Sequence, residues 1–335
     1  MRAAVLRAPE SLSVEARPAL TPGAGEVVVQ VQAAGLCGTD YRIWTGERPV
    51  DYPRVMGHEF IGVVLAAGRG VTNVRAGQKV AVEPNYSCGV CPLCREGNRN
   101  LCLSRTAVGI DVDGGFAEQA KLPAACCWPA PAGISDDQLL LAEPLAVVVR
   151  AVGRGKPRAG EKAAVLGVGT LGLLAIQVMK ERGLTVLAVG RSARRLALAR
   201  ELGADAAVAI SSPREAATAA QEFSGREGVD LVVETAGTPR AVADAAELCR
   251  PGGRIVLTGL PHEPTTLSFF SVVRRELRII GSMIYQDEFP EAVRLLAVGA
   301  VRVQRLLTRR FPLDQIQAAF EAHRSRDTIK VALTL

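Results

Sequence analysis

From Val27 the chain runs Val-Val-Val-Gln-Val-Gln, β-branched residues that pass into apolar/polar alternation. That period of two predicts a strand buried on one face. Phe60 to Leu65 is a short apolar run of the same kind. After residue 160 the pattern changes: the apolar runs Lys162–Leu166, Thr185–Val189, Val208–Ile210, Leu231–Glu234 and Ile255–Thr258 recur between helix-like stretches. The intervening helices are expected at Leu173–Arg182, Ser212–Phe223 and Arg240–Cys249. Alternation of this kind predicts a parallel, doubly wound sheet. Two further helices are expected near Phe289–Gly299 and Leu313–Ser325, where the tail reads as a return to the first domain.

The division that follows is a strand-rich, Gly/Pro-punctuated domain over residues 1–146 and 285–335, and a nucleotide-binding domain over 147–284. The chemistry is expected in the cleft between them. At 335 residues, 48% hydrophobic and 22% charged, the chain has the composition of a globular protein rather than a disordered or fibrous one. The longest apolar stretch, Val165–Met179, is interrupted by Gly167, Gly169 and Gly172 and is too short to span a bilayer. Arg7, Pro9 and Glu10 interrupt the N-terminus before a signal-peptide core can form, so a cytoplasmic location is expected. The net charge of +6 is spread along the whole length, and aromatics are only 4%. A solvated basic surface is therefore expected, with no nucleic-acid or membrane partner.

Of eight cysteines, Cys88, Cys91, Cys94 and Cys102 form C-x2-C-x2-C-x7-C in one loop. Four thiolates so spaced can wrap a tetrahedral zinc ion at about 2.3 Å and leave no position open, which makes such a site structural. An iron–sulfur cluster is the alternative use of four cysteines. The second motif is Gly167-Val168-Gly169-Thr170-Leu171-Gly172, between a strand and a helix. Glycines there permit a tight turn and close approach of a pyrophosphate to the helix N-terminus. The next strand ends in Gly190-Arg191-Ser192, with Arg194 and Arg195 behind. No carboxylate stands where NAD enzymes usually hold the ribose, and a guanidinium suits a 2′-phosphate, so NADP(H) is favoured over NAD(H). Thr235 and Gly259 fall just past strand ends, where ligands bind in such sheets.

Several segments are collinear with one family: Gly35 to Asp40, Gly57-His58-Glu59, the four-cysteine loop, Asp113 to Glu118, Glu143-Pro144-Leu145, the glycine motif and Lys330-Val331. In this set the chain resembles the zinc-dependent medium-chain alcohol dehydrogenases, more closely their polyol, sugar-acid and threonine dehydrogenase branch. The resemblance implies an α/β protein, a Rossmann doubly wound sheet plus a β-rich GroES-like catalytic domain. It implies two zinc ions, one structural and one catalytic, the latter on Cys37 and His58 with Glu59 adjacent and Glu143 as a further ligand or water-holding group. Thr39 is implied as a proton relay, and Arg42 stands where many relatives carry a relay histidine. Trp44, Phe116 and Tyr285 are implied pocket linings, with core packing as the alternative for each.

The reaction so implied interconverts a secondary alcohol, of polyol, sugar-acid or cyclitol type, and its ketone by hydride transfer with NAD(P). A homodimer or homotetramer acting on a small molecule is expected. The rival readings are a zinc-free quinone or enone reductase of the same superfamily, and a non-catalytic NADP-binding regulator.

Overall fold

The structure is a computed structural model and describes every residue except Arg326. Its backbone packing divides into two units: Met1–Glu143 with Ala292–Ala297 and Val303–Leu335, and Pro144–Glu291 with Val298–Arg302.

The first unit is built on the strand Glu26–Leu36, which pairs antiparallel with three others: Glu59–Ala67, Gln119–Pro123 and Lys330–Thr334. Val27, Val28, Val29 and Val31 are all buried and only Gln30 and Gln32 face solvent; from Ala33 to Leu36 every residue is buried, because the strand there is covered on both faces. Register shifts at Val28/Val29 and Val31/Ala33 twist the strand between partners. Gly62 lies at that crossing, where an added Cβ would sit 2.1 Å from the Gln30 carbonyl. A seven-stranded sheet, a three-stranded sheet and the short pair Asn85–Tyr86 with Thr106–Ala107 make up the unit. Leu36, Ile43, Met56, Phe60, Phe116 and Phe320 fill one core, each side chain contributing about 1.5–3 kcal/mol by full burial.

The second unit is a six-stranded, all-parallel sheet in the spatial order Ala206–Ala209, Thr185–Gly190, Lys162–Leu166, Val229–Glu234, Cys249–Leu257, Arg278–Gly281. The chain begins in the middle, winds outward one way, then returns and winds the other. This is a Rossmann doubly wound sheet, with its switch point between Lys162–Leu166 and Val229–Glu234. The strands read as continuous apolar runs because both faces are covered: Val229–Glu234 is buried at all six positions. Helix starts follow local chemistry, with Ser212 accepting from Glu215 N–H, Thr238 from Ala241 N–H, and proline at the first turn of both helices. No helix among the described residues is long and apolar enough to cross a membrane.

Candidate metal centres and dinucleotide turn

The cysteine loop closes on itself. The ligand sulfurs of Cys88, Cys91, Cys94 and Cys102 lie within 4.8 Å of one another. Cys102 Sγ is 3.5 Å from Cys88 Sγ and 3.9 Å from Cys91 Sγ. A regular tetrahedron with zinc–sulfur bonds of about 2.3 Å has an edge near ~3.8 Å, so the spacing fits one tetrahedral ion. All eight cysteines are free thiols, and four sulfurs this close have room for a single ion rather than a multi-iron body. Backbone amides aim at the sulfurs: the N–H groups of Cys88 and Ser104 donate to Cys102 Sγ at 3.3 and 3.4 Å. The N–H groups of Leu103 and Cys94 hold the Cys91 thiol down to about 6, which favours the thiolate that a metal needs.

The second group is deep in the first unit. Cys37, His58 and Glu59 offer ligand atoms within 4.8 Å of one another. Cys37 leaves the end of Glu26–Leu36 and caps the helix Gly38–Trp44, while Glu59 starts the neighbouring strand opposite Gly35. His58 is turned inward by Gly57, whose φ of +96° favours glycine and whose Cβ would meet Phe116 Cδ1 at 2.4 Å. The Gly114-Gly115-Phe116 segment explains itself here. Gly115 N–H donates to Gly57 O at 2.8 Å and Phe116 N–H to Met56 O at 2.9 Å. A side chain at Gly114 would strike Gly57 O.

Asp40 is fully buried and spans the group: Oδ2 accepts from Cys37 N–H at 2.8 Å, and Oδ1 lies 3.1 Å from His58 Nδ1. A carboxylate on Nδ1 fixes the tautomer that presents Nε2 to a metal. Burial pulls the His58 imidazolium down, but the charges of Asp40 and Cys37 outweigh it and hold the ring well above its ordinary value. Glu59 forms a buried ion pair with Lys330, from the last strand of the chain. Asp40 and Lys330 lie within the segments that carry the family resemblance, but the sequence reading assigns neither of them a role at the site. The signal for Asp40 was present, as a carboxylate at the third position of a helix that starts on Cys37.

Glu143 is buried in the first turn of the helix Ala142–Arg154, outside the group formed by Cys37, His58 and Glu59. Thr39 is half-buried in the first turn after Cys37, and Arg42 lies 4.0 Å from Glu47. The aromatics pack as core: Trp44 against Phe320 at 5.2 Å, Phe116 against Phe320 at 6.2 Å, and Tyr285 against Phe289 at 5.8 Å.

In the second unit the glycine turn stands at the switch point. Gly167 has φ +104°, and a Cβ there would sit 2.7 Å from Thr235 Oγ1; one on Gly172 would sit 1.8 Å from Gly167 O. Those two glycines let helix and loops close. Gly169, which caps the helix Thr170–Glu181, has open space where its Cβ would be, as backbone approached by a phosphate requires. Thr170 and Leu171 follow in the first turn. Thr235 Oγ1 donates toward the carbonyls of Leu166 and Gly167 at 3.1 and 3.2 Å, tying the two loops at the switch point together. A Cβ on Gly259 would lie 2.3 Å from Gly237 N and 2.6 Å from Glu234 Oε2. Arg191 is exposed just beyond Gly190, and Ser192 accepts from Arg195 N–H at 3.4 Å as the next helix begins. A Cβ on Gly190 would come within 2.5 Å of Val168 Cγ2, so packing also requires glycine there.

Residues 170–298 match the zinc-binding dehydrogenase family, and residues 23–132 match the alcohol dehydrogenase GroES-like domain. The chain is 32% identical over 330 residues to a sorbitol dehydrogenase of Bacillus subtilis (strain 168), covering 96% of this chain and 93% of that one. Its fold superposes with a TM-score of 0.94 on a zinc-binding dehydrogenase of Sinorhizobium meliloti 1021 bound to NADP, at 33% identity over 100% and 99% of the two chains. It superposes with a TM-score of 0.93 on an alcohol dehydrogenase of Escherichia coli CFT073 complexed with NADH, at 34% identity over 100% and 99%.

Proposed function

The chain belongs to the zinc-dependent medium-chain alcohol dehydrogenase family and is a polyol/alcohol dehydrogenase; from that premise we propose that it interconverts a secondary alcohol and its ketone, with a polyol, sugar-acid or cyclitol-like substrate. The observation that carries this reading is the convergence of half-buried Cys37 with buried His58 and Glu59 in a group distinct from the four-cysteine loop. A mixed sulfur, nitrogen and oxygen set fits zinc and leaves a position for a substrate oxygen. Zinc bound there supplies a Lewis acid, and a bound nicotinamide supplies the hydride acceptor.

The protein's own residues supply position. Asp40 orients His58 through Nδ1 and anchors the Cys37 backbone. Thr39 offers a hydroxyl in the first turn after Cys37, as a proton relay requires. Glu143 serves as a further ligand or holds a water. Arg42, always charged, is a poor proton carrier and suits an anionic substituent of the substrate, which favours a sugar acid. A screen of polyols, sugar acids and amino alcohols with NADP+ and NAD+ at the nicotinamide absorbance tests the reading. Turnover of a secondary alcohol is expected, and no turnover with zinc-replete protein would overturn it.

For the cofactor we favour NADP(H), through Arg191 on the 2′-phosphate and with no carboxylate at Gly190 to repel it. The test is Arg191→Ala, which leaves the Gly190–Val168 packing untouched. Charged hydrogen bonds contribute about 1.5–3 kcal/mol, so kcat/KM for NADP+ should fall roughly 10- to 100-fold while NAD+ changes little. A wild type that prefers NAD+ tenfold, or an unmoved ratio, removes Arg191 from that role.

A further inference from the structure

Two loops meet at the switch point of the parallel sheet. Gly167-Val168-Gly169 follows the strand Lys162–Leu166, and Thr235-Ala236-Gly237 follows its neighbour Val229–Glu234. Loops at that end of a parallel sheet offer backbone N–H groups to anions. The two lie side by side: Thr235 N–H donates to Leu166 O at 2.9 Å, and a Cβ on Gly167 would lie 3.0 Å from Ala236 N.

They differ in what fills them. At Gly169 the space is open where the helix Thr170–Glu181 begins. In the second loop, the N–H groups of Ala236 and Gly237 converge on one oxygen, Glu234 Oε1, at 2.6 and 2.8 Å. Two successive amides aimed at one oxygen form an anion hole, and Gly237 closes it at φ +64°, a conformation that favours glycine. The protein's own carboxylate occupies this one. Glu234 is 0% exposed, and its second oxygen, Oε2, is buried and accepts no hydrogen bond among the described residues. Satisfying two amides takes one oxygen. A second carboxylate oxygen, buried without a donor, is costly and calls for a use beyond holding the turn. That use is exclusion: where a phosphate would sit on this loop, the amides are already taken and an acid stands in its place.

We propose that Glu234 is a positioning residue that fills the anion hole of the second loop from within, so that the pyrophosphate of a dinucleotide settles on the Gly169 turn and not beside it. This rests on the reading of Gly167 to Gly172 as the pyrophosphate turn.

The test is to empty the hole. Wild type, Glu234→Ala, Glu234→Gln and Glu234→Met are titrated calorimetrically with NADP+ and with inorganic pyrophosphate, each with and without sodium formate, a carboxylate of the size removed. Wild type should not respond to formate. Glu234→Ala should bind one more pyrophosphate per chain than wild type, and formate should displace it. The NADP+ affinity of Glu234→Ala should fall about tenfold, the scale of a lost charged hydrogen-bond partner, and recover in formate. Glu234→Gln, which keeps an oxygen for both amides, should bind NADP+ within about threefold of wild type, whereas Glu234→Met, of similar length without that oxygen, should lose about tenfold. The Gln and Met variants carry the test should Glu234→Ala not fold. A folded Glu234→Ala with the pyrophosphate stoichiometry of wild type and no response to formate, or Gln and Met variants that bind NADP+ alike, overturns the inference. A wild type that binds neither NADP+ nor NAD+ overturns the dinucleotide reading and the inference together; a wild type that binds them, with every variant unchanged, overturns the inference alone.

Discussion

The two candidate metal-binding groups of this chain are made in opposite ways. The four cysteines sit within fifteen consecutive residues of a loop whose Val90 and Leu103 are 66% and 74% exposed. Little apolar burial holds that loop, so an ion bound by its four sulfurs would set its shape. Cys37, His58 and Glu59 come instead from a helix start, a glycine turn and a strand, all fixed by the core around Met56, Phe60 and Phe116. There the packing of the core positions the three side chains. A group that needs its metal to fold has a structural task, and a group preorganised by packing, with a mixed ligand set, can leave a position for chemistry.

Changes on the two sides should therefore separate activity from stability. The largest effect is expected from Cys37→Ser or His58→Ala: turnover lost, with a circular dichroism spectrum and cofactor binding like wild type. Loss of fold in both variants would mean that the mixed group is structural after all. Next comes Cys94→Ser, which should lower the melting temperature by roughly 5–15 °C, as expected for a few kcal/mol in a chain of this size. Unchanged stability with full zinc content would remove the cysteine loop from its structural role. The smallest effect is expected from Asp40→Asn, which leaves both ligand sets intact but loosens the tautomer of His58. Zinc affinity at the mixed group should fall about 10- to 100-fold and the cysteine loop should be unaffected. Equal loss from both groups would break the contrast.

How much of this could be read from the sequence follows the same divide. The cysteine loop was legible because its ligands are local, and spacing alone constrains their geometry. The parallel sheet was legible from the alternation of apolar runs and helices after residue 160, and the strands expected there recur within a few residues of their ends. The mixed group was legible only through resemblance, since nothing in Gly57-His58-Glu59 says that Cys37 lies beside it. Lys330 was visible as a family position and not as a partner of Glu59. Its role depends on strand order, and a buried lysine runs against the polar-outside pattern on which such reading relies. Trp44, Phe116 and Tyr285, implied as pocket linings by the resemblance, each pack against a phenylalanine. For Gly190, what read as a cofactor signal is also a demand of Val168.

The most direct test of the central claim, that one ion serves chemistry and the other serves the fold, is a stepwise chelation. Zinc content, turnover and melting temperature are followed together on the same samples. The account predicts two equivalents of zinc, with turnover tracking the loss of one and the melting temperature tracking the loss of the other. A single equivalent, or one phase in which activity and stability vanish together, would contradict it.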